Sequence, residues 1–267
     1  MAAILDPKVK QTSIPFIKAN FGRISQREIA RKLGIGKTTV NRWCRELNLI
    51  YKKHTVNENF FDKWNETMAY ILGYIFTDGN VAWNESKSYW SLTITTAEKD
   101  KEHLEKMRKI ISSTKPLLYS EKTKSFRLIA VNKKLCQKLM KVGIIPKKSL
   151  IVKFPQVPKR YLRHFIRGVI DGDGSISYLD RKRSPYFAIQ IVSGSRKFLY
   201  KLSQNIKNEI NICAKVRKYS GHCFVVSYTC TRGKKLAEWI YKDTDLFLVR
   251  KFEKYMMMKN LEVVVPD

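Results

Sequence analysis

Two stretches of nine residues decide the fold of this chain: residues 71–79 read ILGYIFTDG, and residues 166–174 read IRGVIDGDG. Each stretch is an apolar run with a glycine at its third position and an aspartate–glycine pair at its end. The two stretches start 95 residues apart (166 − 71), and the matched glycines and aspartates keep that interval. We interpret the second half of the protein as a diverged copy of the first, with one terminal acid in each copy.

The glycines within the two runs, Gly73 and Gly168, predict that two helices cross in close contact. Glycine inside a helix costs about 1 kcal/mol relative to alanine, so matched glycines among Ile, Leu and Val residues indicate that two backbones approach there. Such a crossing brings the helix ends together and places Asp78 and Asp173 at neighbouring C-termini. Because the helix dipole is negative at that end, paired carboxylates there require a cation.

These helix ends offer hard oxygen ligands for a divalent ion. The carboxylates of Asp78 and Asp173, with the main-chain carbonyls of Thr77 and Gly172, are ligands of the kind that Mg²⁺ takes. We expect Mg²⁺ as the cofactor, with Mn²⁺ as a substitute. The alternative is structural, because Asp-Gly is a common turn pair before a strand. The repetition of the motif, the paired glycines and the basic composition favour the metal site.

The charge of the chain indicates a polyanionic partner. The 267 residues include 52 Lys and Arg against 23 Asp and Glu, a formal net charge of +29, and the pI is about 10. Such an excess is typical of proteins that lie along nucleic acid. No apolar run suits a membrane span and no signal peptide is recognised, so we expect no membrane partner and an intracellular location with the host DNA, in a bacterial or phage cytoplasm or an organelle. The five cysteines form no C-x-x-C pair, which favours a reducing compartment over a disulfide framework or zinc finger.

The first 55 residues predict a small all-α DNA-binding domain. Ser25, followed three residues later by Glu28, is a capping-box arrangement for a helix over 25–33, and a glycine-containing turn precedes a second helix over 37–47. The pair resembles a helix-turn-helix of the sigma-factor or resolvase kind, although any short helical hairpin with a glycine turn shows the same pattern. The resemblance implies that the second helix enters the major groove of DNA. Its candidate contacts are Lys37, Thr38, Thr39, Asn41, Arg42 and Arg45.

After each aspartate–glycine pair the pattern changes from helical to alternating. Alternation predicts strands with one apolar face, and the helical apolar spacing that follows predicts amphipathic helices that cover them. We expect a strand near 89–96, a helix over 98–112, two strands within 117–131 and a helix over 133–142, and then a strand near 187–192, a helix over 195–210, two strands within 215–229 and a helix over 234–241. The predicted fold class is α+β, with two pseudo-symmetric αββαββα repeats in which each antiparallel sheet has helices on one face and its other face free.

The paired motifs and the elements that follow them resemble the LAGLIDADG homing endonucleases, in the single-chain form that carries both motifs. The resemblance covers residues from about 65 to 258. It implies that the motif helices pack at a pseudo-twofold axis, that Asp78 and Asp173 are the catalytic, metal-binding acids, and that the two sheets lie along the major groove of double-stranded DNA. We therefore expect a helix-turn-helix domain at 1–55, a linker at 56–64, repeat 1 at 65–155, repeat 2 at 156–260 and a tail at 261–267.

The resemblance also implies further site residues. The family places a basic residue near each scissile phosphate, and the matching positions are Lys148 and Lys251. The first motif departs from the family pattern, because Phe76 stands where the second motif has an earlier acid, Asp171, and we expect Phe76 to pack. Candidate DNA contacts on the free sheet faces and their loops are Ser91, Thr93, Thr95, Lys122, Lys124, Arg127, Arg181, Lys182, Arg183, Gln190, Lys215 and Arg217.

We predict a site-specific endonuclease, a monomer whose two copies substitute for a dimer and which makes a metal-dependent double-strand break in a long, weakly palindromic target. A bound divalent ion lowers the pKa of a water and neutralises charge on the phosphate, so no covalent nucleophile is needed. Two alternatives use the same scaffold. One is a DNA-binding regulator that does not cut, for which loss of the acids is expected, although both acids remain here. The other is an intron-splicing cofactor that binds structured intron RNA by its shape, an activity compatible with cutting.

Overall fold

The structure, a computed structural model, describes residues 7–49, 54–146, 150–179 and 186–262. It divides into two compact units, residues 1–53 and residues 54–267, and each unit has a hydrophobic core of its own. Over these described ranges, no helix combines the length and the apolar character that crossing a membrane requires.

The described part of the N-terminal unit contains three helices: α1 (Pro7–Asn20), α2 (Gln26–Leu33) and α3 (Lys37–Glu46). The sequence analysis predicted α2 and α3 but missed α1, because that helix contains Pro15 and has weak apolar periodicity. Ser25 caps α2 as expected, since its Oγ accepts the Glu28 N–H at 3.1 Å. The capping box also predicts that the Glu28 carboxylate accepts the Ser25 N–H. That part of the prediction is wrong, because the Glu28 carboxylate pairs with Arg31 at 2.6 Å instead.

The second unit contains the two repeats. The elements of repeat 1 are α4 (Glu66–Asp78), β1 (Gly79–Asn84), β2 (Tyr89–Ala97), α5 (Lys101–Ile110), β3 (Leu118–Ser120), β4 (Ser125–Val131) and α6 (Lys133–Lys141). The elements of repeat 2 are α7 (Leu162–Asp173), β5 (Gly174–Leu179), β6 (Tyr186–Ser193), α8 (Arg196–Ile210), β7 (Arg217–Ser220), β8 (Cys223–Thr229) and α9 (Cys230–Tyr241). The predicted αββαββα order is confirmed in both repeats. A further helix that the sequence analysis missed, α10 (Val249–Glu262), follows them.

Two helix boundaries differ from the sequence prediction. The helix expected over 98–112 begins as a 3₁₀ turn at Glu98–Asp100 before α5. The helix expected over 234–241 begins at Cys230, one turn earlier than predicted. Gly233 hid that first turn in the sequence, because glycine is a poor helix former.

Each repeat builds one four-stranded antiparallel sheet, with strand orders β1-β2-β4-β3 and β5-β6-β8-β7. Alternation sorts the side chains onto two faces as predicted: Leu92 and Ile94 of β2 are buried, while Thr93 between them is half-exposed. In β6, Gln190 is exposed between two buried isoleucines. The apolar faces of both sheets and the motif helices α4 and α7 share one core, which leaves the opposite face of each sheet open.

The segment predicted as a linker, residues 56–64, is instead packed on repeat 1. Phe61 is buried in the main core, and Asp62 pairs with Lys138 of α6 at 2.7 Å. The backbone is held as well, because the Asn57 N–H donates to a carbonyl at the end of α5 at 3.0 Å. The polar composition misled the sequence analysis, since these polar groups pair with the folded body.

Candidate active site at the crossing of the motif helices

The two motif helices, α4 and α7, cross in contact at their glycines. A Cβ atom built on Gly73 would lie 2.1 Å from the carbonyl oxygen of Phe165, and one built on Gly168 would lie 2.0 Å from the carbonyl oxygen of Tyr70. Both distances are far below the roughly 3.5 Å of van der Waals contact. The close backbone approach predicted for these two glycines is therefore present, and it is reciprocal.

The crossing brings the carboxylate of the first motif to the end of the second motif helix. A Cβ atom built on Gly172 would lie 3.2 Å from Oδ2 of Asp78 and 1.8 Å from Oγ1 of Thr77, so the two helix ends meet only because residue 172 has no side chain. Asp78 is half-buried, and Asp173, the last residue of α7, is exposed. Burial, together with the nearby Asp78 carboxylate, raises the pKa of Tyr74, which therefore stays a neutral hydroxyl that can donate to Asp78.

A lysine of α10 caps the end of α7. The Nζ of Lys251 donates to the carbonyls of Ile170 and Asp171, each at 2.7 Å, and to that of Gly172 at 3.2 Å. The residue is only 2% exposed, and burial lowers the pKa of its ammonium to about 8. The structure places Lys251 beside the end of α7 that bears Asp173, and its three N–H donors are directed at backbone carbonyls. Its place near a scissile phosphate stays a prediction. The carbonyl of Gly172, a predicted metal ligand, accepts one of these hydrogen bonds from Lys251 and so has fewer lone pairs for a metal ion.

A buried polar network lies behind the α7 end, and the sequence analysis missed it. Oδ2 of Asp171 accepts hydrogen bonds from the Tyr70 hydroxyl at 2.7 Å and from the Leu248 N–H at 2.8 Å, and the same hydroxyl lies 2.8 Å from Nε2 of His103. Burial raises the pKa of Asp171 and lowers the pKa of His103 to about 4. One signal was available in the sequence: Arg167 and Asp171 are spaced one helical turn apart in an otherwise apolar helix.

The first turn of α10 also reaches repeat 1. Arg250 forms a bidentate ion pair with Asp100, with Nε to Oδ1 at 2.9 Å and Nη2 to Oδ2 at 3.0 Å. Asp100 lies directly before α5, and this hydrogen-bonded pairing raises the pKa of Arg250. Helix α10 therefore contacts the end of a motif helix in one repeat and the start of a covering helix in the other.

The metal-binding donors at the crossing are few. The two motif acids contribute side-chain carboxylates, and the helix ends contribute backbone carbonyls. In the part of the chain that the structure describes, no group of three or more His, Cys, Asp or Glu side chains comes together to hold a metal ion.

Comparison with known protein families gives a match for the second repeat. Residues 160–241 match a family model described as a LAGLIDADG-like domain. The chain carries a LAGLIDADG-like domain. The matched range contains all of α7 to α9, so the second motif helix, its terminal acid and the second sheet belong to it.

The chain with this LAGLIDADG-like domain is similar to one protein in sequence and to several in fold. It is 25% identical over 201 residues to an uncharacterised protein of Methanocaldococcus jannaschii, which covers 73% of this chain and 69% of that protein. It is similar in structure to the LAGLIDADG homing endonuclease I-GzeII in complex with a DNA target, with a TM-score of 0.51, 10% identity, and coverage of 76% of this chain and 94% of that one. It is also similar to the LAGLIDADG homing endonuclease I-SmaMI bound to cleaved DNA, with a TM-score of 0.50, 12% identity, and coverage of 76% and 93%. At such low identities these structures show a shared fold.

The sheet residues predicted to contact DNA lie on the open faces of this LAGLIDADG fold or in its turns. Gln190 donates to Ser227 across β6 and β8 at 3.2 Å, which places both on one open face. Beside β8, a depression of about 450 Å³ is lined by Lys215 and Arg217 among others. The predicted contacts that are exposed or half-exposed are Ser91, Thr93, Thr95, Lys122, Lys124, Arg127, Gln190, Lys215 and Arg217. The predicted contacts Arg181, Lys182 and Arg183, and the predicted catalytic Lys148, lie outside the described residues.

Two apolar residues on the open face of the first sheet were missed by the sequence analysis. Leu118 is 39% exposed and pairs with Arg127, and Val131 is 43% exposed and pairs with Ser91. Directly paired strand residues share a face of the sheet, so both lie beside predicted DNA contacts. Strand register, which the sequence alone does not specify, was the missing signal.

The polar side of α3 carries the predicted contacts of the N-terminal unit. Val40 and Trp43 are buried on its other side, which agrees with the predicted apolar face. The exposed contacts are Lys37, Thr38, Arg42 and Arg45, and the half-buried ones are Thr39 and Asn41. Four of the six candidates are thus exposed to solvent.

Proposed function

We propose that this protein is a site-specific DNA endonuclease that makes a metal-dependent double-strand break. The observation that carries the proposal is the glycine crossing, because it sets the Asp78 carboxylate against the end of α7, which bears Asp173. The two acids lie at the seam, the place where the ends of α4 and α7 meet. Together with two open antiparallel sheets and a net charge of +29, they suit hydrolysis of both strands of a duplex. The DNA-bound homing endonucleases that share the fold support the same function.

The donors at the seam fit a hard divalent cation, which we propose to be Mg²⁺, with Mn²⁺ able to replace it. Asp78 and Asp173 would hold the ion through carboxylate oxygens, and the carbonyl of Thr77 would add a neutral oxygen. The carbonyl of Gly172 has one lone pair left beside its bond to Lys251. When bound, the ion supplies Lewis-acid stabilisation of the phosphate charge and a water of lowered pKa.

The side chains around the seam hold these acids in place. Tyr74 offers a neutral hydroxyl to Asp78 and restrains that carboxylate. Lys251 places a positive charge among the last carbonyls of α7, which offsets the negative end of the helix dipole beside Asp173. No side chain at the seam has to act as a covalent nucleophile.

The open sheet faces and α3 would hold the DNA. Base contacts fall to the strand residues and to Arg42 and Arg45 on α3, while the turn lysines contact phosphates. Because both repeats lie in one chain, we propose that a monomer acts on both strands. Two unequal sheet faces would then read two unequal half-sites, so the target is at most weakly palindromic.

The test begins by selecting the target from a random duplex library. An Asp78→Asn, Asp173→Asn double variant is used for the selection, since it should bind without cutting. Wild type should then convert a plasmid that carries the selected site to linear DNA with Mg²⁺ or Mn²⁺, and neither single variant should do so. Asp243→Asn is the matched control, because that exposed aspartate has a φ of +47°, which asparagine adopts readily, and it should cut like wild type. Wild type that binds the selected site but never breaks either strand would refute the nuclease and indicate a DNA-binding regulator.

A further inference from the structure

A second basic surface lies on the side of repeat 2 that α8 covers. Helix α8 packs on the core face of its sheet through the buried residues Phe198 and Leu202, which belong to the main core. Its opposite side carries the exposed residues Arg196, Tyr200 and Lys207, which are four and seven positions apart. Residues with this spacing lie along one side of a helix. This stripe therefore points away from the open sheet face that is predicted to hold duplex DNA.

A groove of about 570 Å³ runs between this stripe and the segment that leads into the edge strand β7. We call it the edge groove. The residues that line it include Arg196, Tyr200, Lys207, Asn208 and Lys215. Among the described residues, no aspartate or glutamate contributes to its lining. Lys215 also lines the depression beside β8 on the open face, so the two concave surfaces meet at the edge of the sheet.

The sequence around the edge groove has few acids. Residues 196–229, from the start of α8 to the end of β8, contain seven Lys or Arg and a single acid, Glu209. The carboxylate of Glu209 is directed at Lys159, with 3.7 Å between Oε1 and Nζ, and does not line the edge groove. The edge groove therefore keeps a net positive charge, which suits the phosphate backbone of a nucleic acid.

The matching helix of repeat 1 lacks this character. The buried positions of α5 and α8 align at the repeat interval of 95 residues, as Leu104 does with Leu199. At that interval Tyr200 corresponds to Glu105, which pairs with Arg108 at 2.6 Å. The exposed aromatic ring is therefore a property of repeat 2 alone, which indicates a role separate from the duplex binding that both sheets are predicted to share.

Exposed tyrosines at this edge favour a single strand over a duplex. Tyr200 is 59% exposed, and Tyr219 on the edge strand β7 is 67% exposed. The bases of a duplex are stacked on one another, so their faces do not reach a tyrosine ring. Unpaired bases stack on aromatic rings, while lysine and arginine bind the backbone that joins them. The ring of Tyr200, on the same stripe as Arg196 and Lys207, offers this combination.

We propose that the edge groove is a second nucleic-acid site, which binds a single strand with a base on Tyr200 and phosphates on Arg196 and Lys207. RNA and unpaired DNA share this chemistry. The inference is independent of the proposed nuclease function, because no residue of the seam lines the edge groove. It implies that the protein holds a single strand and a duplex target at the same time.

The test measures the fluorescence anisotropy of labelled single strands of about 12 nucleotides, one of uridine and one of deoxyuridine, on the full chain. The selected duplex is present at saturation, so that the open sheet faces are occupied. Tyr200→Ala should weaken binding by about 5- to 100-fold, the loss expected for one stacked base. Tyr200→Phe should bind like wild type, because the ring remains. Lys207→Gln should lower the slope of log Kd against log salt by about 0.7, because one phosphate contact is lost.

Lys109→Gln is the matched control, an exposed lysine of α5 that loses the same charge outside the edge groove, and it should change binding by less than about twofold. Equal affinity of wild type and Tyr200→Ala, or displacement of the strand by excess duplex, would overturn the site. Where Tyr200→Ala does weaken binding, the strand that wild type binds more tightly identifies the ligand as RNA or as unpaired DNA. If the protein binds no duplex, the nuclease proposal fails, and the same comparison without duplex decides the edge groove.

Discussion

Replacing Gly168 by alanine is expected to force the two motif helices apart. The added Cβ would lie 2.0 Å from the carbonyl oxygen of Tyr70, so ordinary contact at 3.4 Å requires a displacement of about 1.4 Å (3.4 − 2.0). The obstacle is backbone of the opposite helix, which cannot move aside as the tip of a flexible side chain does. The shift must therefore be taken up by the crossing itself.

The magnitude follows from two opposed effects. Alanine is favoured over glycine inside a helix by about 1 kcal/mol, while overpacking of a close-packed site costs about 3 kcal/mol or somewhat more. The net loss of about 2 kcal/mol should lower the midpoint of thermal unfolding by about 4 to 8 °C for a unit of this size. Cleavage should fall by about 100-fold, since the displacement separates groups that must meet at the seam.

The assay is thermal unfolding by circular dichroism, paired with cleavage of the selected duplex. Gln204→Ala is the control, because Gln204 is an exposed residue of α8 in the same compact unit. It should shift the midpoint by less than about 2 °C, because surface substitutions of this kind change stability by about 0.5 kcal/mol or less. A Gly168→Ala protein that is as stable as wild type, or more stable, would refute the close crossing, because the overpacking cost would then not exceed the gain in helix propensity.

Acidification is expected to destabilise the unit of residues 54–267 through His103. Burial lowers the pKa of this histidine from an ordinary 6.5 to about 4. The unfolded chain takes up this proton first, so the contribution is complete above pH 6.5 and is lost as the pH falls toward 4, by about 3 kcal/mol. Urea midpoints at pH 7 and pH 4.5 should differ less for His103→Gln than for wild type, and an equal difference would contradict this assignment. Phe76→Asp should lower the thermal midpoint strongly, because it would bury a carboxylate against the Phe165 and Phe198 rings, and an unchanged midpoint would contradict that packing. Deleting residues 1–53 should weaken DNA binding while sparing the cleavage rate at saturating protein, since the body has its own core; cleavage lost with binding intact would argue against separate units. Binding of the full chain should fall about 10³- to 10⁵-fold between about 50 and 200 mM salt if it contacts about 6 to 10 phosphates, and gel-shift titrations that show a flat dependence would argue against backbone contacts.

The sequence predicted the features that depend on local patterns. Alternation along residues 89–96 and 187–192 located strands and their buried faces, because successive strand side chains point to opposite faces. The repeated motif predicted the glycine crossing, because glycine inside an apolar helix lowers stability unless a second backbone packs against it. The LAGLIDADG-like family model matches the second repeat that the motif indicated.

The sequence did not show contacts between groups that are distant along the chain. Lys251 was assigned to the substrate from the family resemblance, and the carbonyls that accept its hydrogen bonds lie about 80 residues earlier on α7. The segment at 56–64 was interpreted as a linker because of its polar composition, whereas its Asp62 pairs with Lys138 of α6, a helix much later in the chain. Such pairings have no local pattern, since loop closure brings together residues of any separation.

By itself the sequence determined the duplication, the αββαββα order, the free polar sheet faces and the position of one acid at the end of each motif helix. These follow from periodicity and from side-chain types that act within a few residues. Only the tertiary structure decided that Asp78 meets the end of α7, that the ammonium of Lys251 satisfies that end, and that α10 ties both repeats together. The physical reason is that charges and backbone groups buried at a helix end must be satisfied by whichever segment the completed fold brings to them.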